Sequence, residues 1–285
     1  MKILVLGKSG QVGSDLVKLL KSKNLEFNAL DRNNIDLVEV DNISNFLTKQ
    51  EFDVLINCAA YTKVDLAETE VELATKINAL AVGEIAKSCQ KRSAKLIHIS
   101  TDYVFAGDKN SPYLETDKTD PQSVYGMSKL QGEELALSLN EKTWVLRTAW
   151  VYGEQGGNFP KTIAGLLKQG KEIDVVDDQI GAPTWSFNIA EAILNLLEVS
   201  PSYGIYNCTN NGETTWFNFA QEIAKSIKVE LNKVSPAKSS TLNRPAVRPN
   251  YSVLSSTKWI SAGLKPLPTW REAWQQAQNS VLKTN

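Results

Sequence analysis

Residues 5 to 16 read VLGKSGQVGSDL and place Gly7, Gly10 and Gly13 between two very different stretches. Before them, KILVL is apolar without alternation, as a strand buried on both faces must be. After them, QVGSDLVKLLKSK has the periodicity of an amphipathic helix. Glycines at such a junction permit a sharp turn and let a helix start close against the strand it follows. The chain therefore opens with a strand–turn–helix unit, and the rest of its first half must be compatible with one. EFNAL, DVLINCAA, KLIHIS and TWVLRTAWV read as further strands. ISNFLTKQ, the long ELATKINALAVGEIAKSCQKR and a segment opening at Tyr125 read as helices between them. The long helix carries Leu73, Ile77, Leu80, Ala81, Ile85 and Ala86 on one stripe, and a polar loop from Asp102 to Val124 follows the fourth strand. Fully buried strands separated by helices require a parallel sheet joined by right-handed crossovers, the doubly wound α/β class.

After about residue 155 the alternation weakens. FPKTIAGLLKQG, SFNIAEAILNLLEV and WFNFAQEIAKSI are helical, the last after a cap at Thr214 or Thr215, while EIDVV and IYNCTN are strand-like. The closing segment is rich in proline and arginine. The expected division is residues 1–155 as the doubly wound (Rossmann-like) dinucleotide-binding domain. Residues 156–285 then form mainly a smaller, interleaved C-terminal substrate lobe, with some segments returning to the sheet.

Charge and composition exclude several function classes. A net charge of −1 and a pI near 6.0 give no basic field for nucleic acid or for an anionic membrane surface. No apolar run approaches the ~20 residues of a membrane span, and MKILVLG is too short for a signal peptide. Cys58, Cys89 and Cys208 are odd in number and far apart, which fits free thiols in a reducing cytoplasm. His98, the single histidine, lies mid-strand in KLIHIS and reads as a packed core residue. One histidine and scattered cysteines do not make a zinc site.

The glycine turn has a chemical use. Gly7, Gly10 and Gly13 bring backbone close to a helix N-terminus, whose free N–H groups and dipole favour a pyrophosphate. Asp31 and Arg32 end the second strand. A carboxylate there suits the two hydroxyls of an adenosine ribose, and an arginine suits a 2′-phosphate. Having both, with Lys8 in the turn as a second phosphate partner, leaves the choice of dinucleotide open; the expectation is NADPH with NADH tolerated. Thr101 ends the fourth strand, where open parallel sheets bind ligands. Tyr125 and Lys129 are four apart at the start of the next helix and share one face. Reducing a ketone needs a hydride on carbon and a proton on oxygen. A phenol can give that proton, an ammonium can stabilise the phenolate left behind and grip the nicotinamide ribose, and a threonine hydroxyl can bond the same oxygen.

These motifs, with Asn57-Cys58-Ala59-Ala60, Asn78 and Ser100-Thr101-Asp102, resemble the extended short-chain dehydrogenases/reductases. GKSGQVG, STDYVFAG, VYGMSKLQGE, LRTAWVYG, GNF, DQIGAPT and RPAVRPNYSVL narrow the resemblance. The whole chain is similar to the dTDP-4-dehydrorhamnose reductase family, which reduces the 4-keto group of a dTDP-6-deoxyhexose for cell-surface polysaccharide. The resemblance implies Thr101, Tyr125 and Lys129 as the catalytic trio and Gly10, Gln11 and Val12 as the pyrophosphate turn. It further implies Asp31 as the ribose carboxylate, Ala60, Tyr61 and Thr62 as a loop along the cofactor, and Asp102 and Trp150 as substrate contacts. Trp150 reads equally as core packing at the end of the fifth strand. Arg244 and Arg248 in RPAVRP have the fork geometry to clamp a diphosphate or are ordinary surface arginines. Some members bind magnesium at a dimer contact through carboxylates. Asp15 retains one, but Phe187 stands where another aligns, so no metal is expected and a homodimer would need a different contact. Two rivals remain: a dehydratase or epimerase of the superfamily, disfavoured by Tyr103 after Thr101-Asp102, and a non-catalytic NADP-binding subunit like the methionine adenosyltransferase β subunit.

Overall fold

The computed structural model describes residues 1–283. Six parallel strands form the central sheet: β1 (Ile3–Leu6), β2 (Phe27–Leu30), β3 (Val54–Asn57), β4 (Lys95–Thr101), β5 (Thr143–Thr148) and β6 (Gly204–Asn207). Their order is β6-β5-β4-β3-β1-β2. Register runs Leu6 against Asn57 and Leu30, and Thr101 against Thr148. The order reverses beside β1, so the carboxyl ends of β1, β3 and β4 border the crevice where such sheets take ligands. β6 comes from the second half of the sequence and closes the sheet's edge next to β5.

Helices cover both faces, which is why β1 and β3 are buried along their whole length. On one face, Leu16 and Leu20 of helix Gln11–Ser22 pack with Ile189, Ile193 and Leu196 of helix Ser186–Val199 over Val5, Ile56 and Trp144. On the other, helices Val40–Thr48, Ala81–Arg92 and Val124–Leu139 pack over Leu4, Leu55 and Val145. A smaller lobe has its own core, in which Tyr152, Ile163, Phe219, Trp270 and Trp274 meet. Its strands Ile173–Val176 and Val234–Ala237 pair in parallel. No described helix is long and apolar enough to cross a membrane.

The long helix differs from a single α-helical stripe. Val71–Thr75 and Ala81–Arg92 are α-helical, but Lys76–Leu80 between them is a π-turn. A π-turn inserts one residue and rotates everything after it relative to what precedes. Leu80, expected on the buried stripe, is 47% exposed, while Asn78 and Ala79 turn inward. The segment Asp102 to Val124 also departs from a plain polar loop. Phe105 and Tyr113 stack within it and share a buried cluster with Tyr251, Val253 and Leu254.

Candidate active site

The glycine turn has no spare volume. Gly7 has φ +83°, and a Cβ there would lie 2.7 Å from the Ala59 amide nitrogen. A Cβ on Gly13 would lie 2.1 Å from the Gly7 carbonyl oxygen, so the helix can begin this close to the strand only with glycine. Gly10 is the helix N-cap in extended conformation and offers no side chain to the first turn, whose N–H groups are left for an anion. The donor set and the backbone approach both fit a dinucleotide pyrophosphate. Gln11 accepts a hydrogen bond from Asn158 Nδ2 at 3.1 Å, and Val12 is buried in the core beneath the turn.

A cavity of ≈ 410 Å³ opens beside it, lined by Gly7, Asp31, Arg32, Ala60, Tyr61 and Thr62 among others. The Asp31 carboxylate accepts from the Asn33 amide at 3.0 Å and stands 3.4 Å from Lys8 Nζ. Arg32 is 78% exposed and pairs with Asp36 at 3.2 Å, on the rim. Asn78 fixes the far wall: its Oδ1 accepts from the Tyr61 amide at 2.8 Å, and its Nδ2 donates to Tyr61 O and to Ser128 Oγ, each at 3.0 Å. The π-turn is what aims Asn78 here. One side chain thereby joins the cofactor-side loop to the helix that carries Tyr125 and Lys129.

Thr101 and Asp102 emerge buried at the carboxyl end of β4. Thr101 Oγ1 donates to Asp102 Oδ1 at 2.9 Å and accepts from the Tyr103 amide at 3.2 Å. Asp102 Oδ2 is buried without a hydrogen-bond partner among the described residues. Burial pushes the Asp102 carboxyl up to about 6, against smaller downward pulls from the nearby Ser252 and Thr101 hydroxyls. Ser123 caps helix Val124–Leu139 by accepting from the Gly126 amide, and this sets Tyr125 in the first turn. Burial pushes the phenol up to about 12, against a smaller downward pull from the Thr101 hydroxyl. Lys129 is fully buried one turn later. Its Nζ donates to Ile99 O at 2.6 Å and lies 3.3 Å from His98 Nε2. Burial lowers it to about 8, opposed by the carboxylate of Glu133 and by Cys58. His98 is buried as expected, but it is not inert packing, because it touches the amine of Lys129.

Trp150 follows β5 with φ +47° and is half-buried. Its indole stacks on Trp216, centroids 3.5 Å apart and planes within 7°. It also covers Gly181 so closely that a Cβ there would lie 2.4 Å from the ring. Trp216 opens helix Trp216–Ser226 behind its Thr215 cap and was not singled out by spacing or motif. Arg248 forms a two-pronged pair with Asp65, at 2.9 and 2.7 Å, tying the proline-rich loop to helix Val64–Ala67. Its fork is therefore committed to a carboxylate, whereas Arg244 is exposed nearby. Asp15 accepts from Ser186 Oγ at 2.5 Å and lies 3.6 Å from Lys18 Nζ; Phe187 packs on the apolar core instead of facing it with a carboxylate.

Residues 1–282 match the RmlD substrate-binding-domain family. The chain is 40% identical over 283 residues to a dTDP-4-dehydrorhamnose reductase of Mycolicibacterium smegmatis, covering 99% of this chain and 86% of that one. It is 38% identical over 283 residues to a probable dTDP-4,6-dihydroxy-2-methyloxan-3-one 4-ketoreductase of Streptomyces antibioticus, covering 99% and 96%. The crystal structure of a Bacillus anthracis dTDP-4-dehydrorhamnose reductase in complex with NADP superposes with a TM-score of 0.93 at 35% identity, over 97% of this chain and 98% of that one. A glycine turn, a Thr-Asp strand end and a Tyr-x-x-x-Lys helix thus sit in a chain matched from end to end: it belongs to the dTDP-4-dehydrorhamnose reductase (RmlD) family of extended short-chain dehydrogenases/reductases.

Proposed function

We propose that the protein reduces the 4-keto group of a nucleotide-linked 4-keto-6-deoxyhexose with NAD(P)H, and specifically dTDP-4-dehydro-L-rhamnose to dTDP-L-rhamnose. The observation that supports this reading is that the glycine turn after β1 and the buried Thr101-Asp102 end of β4 both lie at the carboxyl edge of the sheet, while Lys129 Nζ bonds Ile99 O of β4 and the Thr101 hydroxyl acts on the Tyr125 phenol. Bound NAD(P)H would supply the hydride, held by the turn, Asp31 and the loop at Ala60, Tyr61 and Thr62.

The chain's own residues manage the proton and the sugar. With its pKa pushed up to about 12, the Tyr125 phenol stays protonated at neutral pH and is a donor in waiting. The Thr101 hydroxyl beside it supplies a second hydrogen bond to an oxygen placed there by turning its single proton away from Asp102 Oδ1. Lys129 stabilises the phenolate formed once the proton has left. Asp102 Oδ2, buried and unpaired, is fit to accept from a sugar hydroxyl. The indole of Trp150 offers a flat apolar face to the deoxysugar. Arg32 and Lys8 near Asp31 support NADPH over NADH. Arg244 is the remaining candidate for the substrate diphosphate, since Arg248 is already paired with Asp65.

The similarity to a ketoreductase acting on a differently named sugar favours a second reading, in which a neighbouring dTDP-4-keto-6-deoxyhexose is the substrate. Following NADPH absorbance with dTDP-4-dehydro-L-rhamnose and its neighbours separates the two. In the same assay Tyr125→Phe should lose most turnover with NADPH affinity retained, because only the proton donor is removed. Unchanged turnover would refute the assignment of Tyr125.

A further inference from the structure

His98 is the chain's single histidine, fully buried in β4, and both of its ring nitrogens meet other nitrogens. Nδ1 lies 3.2 Å from Asn57 Nδ2, and Nε2 lies 3.3 Å from Lys129 Nζ. A neutral imidazole has one N–H and one lone pair, so only one assignment can satisfy each neighbour. The far end of the chain of contacts fixes it. The Ala59 amide donates to Asn57 Oδ1 at 3.1 Å, which turns Asn57 Nδ2 toward the ring. Nδ2 can only donate, so Nδ1 accepts and the hydrogen resides on Nε2. That hydrogen points at Lys129 Nζ, which can accept it only with a lone pair, as a neutral amine.

With the amine neutral, each contact from Ala59 to the Lys129–Ile99 bond joins one donor to one acceptor. With an ammonium, two donors face each other across 3.3 Å in a buried site, where an unmet donor is costly. Relief requires the hydrogen to move to Nδ1 and the Asn57 amide to rotate. That rotation removes the acceptor from the Ala59 amide, in the loop that walls the glycine turn. Burial keeps His98 itself uncharged, so the ring responds by changing tautomer.

We propose that His98 is a positioning residue that couples the protonation of Lys129, through its tautomer and the Asn57 amide, to the Ala59 backbone beside the cofactor crevice. The other groups facing Lys129 do not substitute for it. Glu133, one turn on, is held by Arg147 at 2.6 Å. The Cys58 thiol, after β3, is kept protonated by burial, and Tyr125 one turn earlier stays a phenol. The proposal rests on the reductase reading for its effect on turnover, but the coupling is measurable without turnover.

The direct test needs no variant. Histidine-selective ¹⁵N labelling of the full chain gives one pair of ring resonances, whose shifts report the tautomer. On the alkaline side of about pH 8, where Lys129 loses its proton, the Nε2–H form is expected; on the acid side, the Nδ1–H form. NADPH should move the midpoint. One unchanging tautomer on both sides, with and without NADPH, overturns the proposal. His98→Leu removes both the donor that meets the amine and the acceptor that meets the ammonium, so the midpoint of NADPH affinity against pH, read by nucleotide fluorescence, should shift by about one unit, tenfold in proton affinity. His98→Gln, which keeps one donor and one acceptor, should bring it back toward the parent value. An identical midpoint in all three proteins also overturns it. A parent protein that reduces no 4-keto sugar sinks the proposed function, while the tautomer and binding measurements still decide the role of His98.

Discussion

Replacing Asp102 by asparagine should make the protein more stable at neutral pH while weakening its hold on substrate. Asp102 is 2% exposed, and burial raises its carboxyl from 3.8 in an unfolded chain to about 6. Between those values the folded state binds the proton that the unfolded state has lost, so stability falls as pH rises. Below the lower value both states are protonated and nothing is lost. Above the higher one both are ionised and the full cost is present. A difference of about two units at 1.36 kcal/mol each gives about 3 kcal/mol. Asparagine retains an oxygen to accept from Thr101 Oγ1 and has no proton to lose. Urea unfolding of both proteins at several pH values between about 4 and 7 isolates this one group, because the other carboxylates cancel in the difference. The variant's advantage should grow from near zero to about 3 kcal/mol across that window. A constant offset would show that the Asp102 charge is compensated in the fold and that the reasoning is wrong. The same variant should raise the substrate KM, since an amide no longer presents a buried carboxylate to a sugar hydroxyl.

Gly13→Ala should abolish NADPH binding measured by fluorescence: the new Cβ would lie 2.1 Å from Gly7 O and force the first helix off its strand. Retained affinity would mean that the turn does not hold the pyrophosphate. Trp216→Ala should raise the KM for the keto sugar severalfold with NADPH affinity unchanged, because Trp150 loses the surface it stacks on at 3.5 Å. A fall in NADPH affinity would place the indole pair in the scaffold of the fold instead of at the sugar.

The main sheet was legible because its central strands are largely apolar and are flanked by glycine or polar turns; EFNAL, DVLINCAA, KLIHIS and TWVLRTAWV all became strands of it. Local caps were also readable, as Thr215 shows. Thr269 and Glu272 form a capping box that starts helix Trp270–Val281, inside a segment whose proline and arginine content points to turns. The signal was present, three residues apart, behind two prolines that drew attention to turns. The π-turn at Lys76–Leu80 has no comparable signature, since one inserted residue hardly alters an apolar count but moves Leu80 out and Asn78 in. Contacts between elements distant in sequence were invisible in principle. Trp150 with Trp216, His98 with Lys129 and Arg248 with Asp65 meet only once the sheet and the lobe are assembled.

One such contact clarifies how the site is held. Arg147 on β5 and Glu133 on the helix bearing Tyr125 and Lys129 are buried to 2% and 1% exposure and share three hydrogen bonds, at 3.0, 3.2 and 2.6 Å. A buried pair of this kind yields little net stability, because desolvating two charges offsets most of their attraction. Its consequence is geometric. Glu133 lies one turn beyond Lys129, and Arg147 Nη1 also donates to Glu115 O in the loop that leaves Thr101 and Asp102, with the guanidinium over the Phe105 ring at 4.9 Å. Glu115 in turn accepts from the Asn207 amide at the end of β6. The helix, the loop and two strand ends are therefore fixed to one another by charged groups that tolerate no solvent. A carbonyl approached by a phenol from the helix and a hydroxyl from the strand end demands that kind of fixed spacing, since small displacements of catalytic groups are costly.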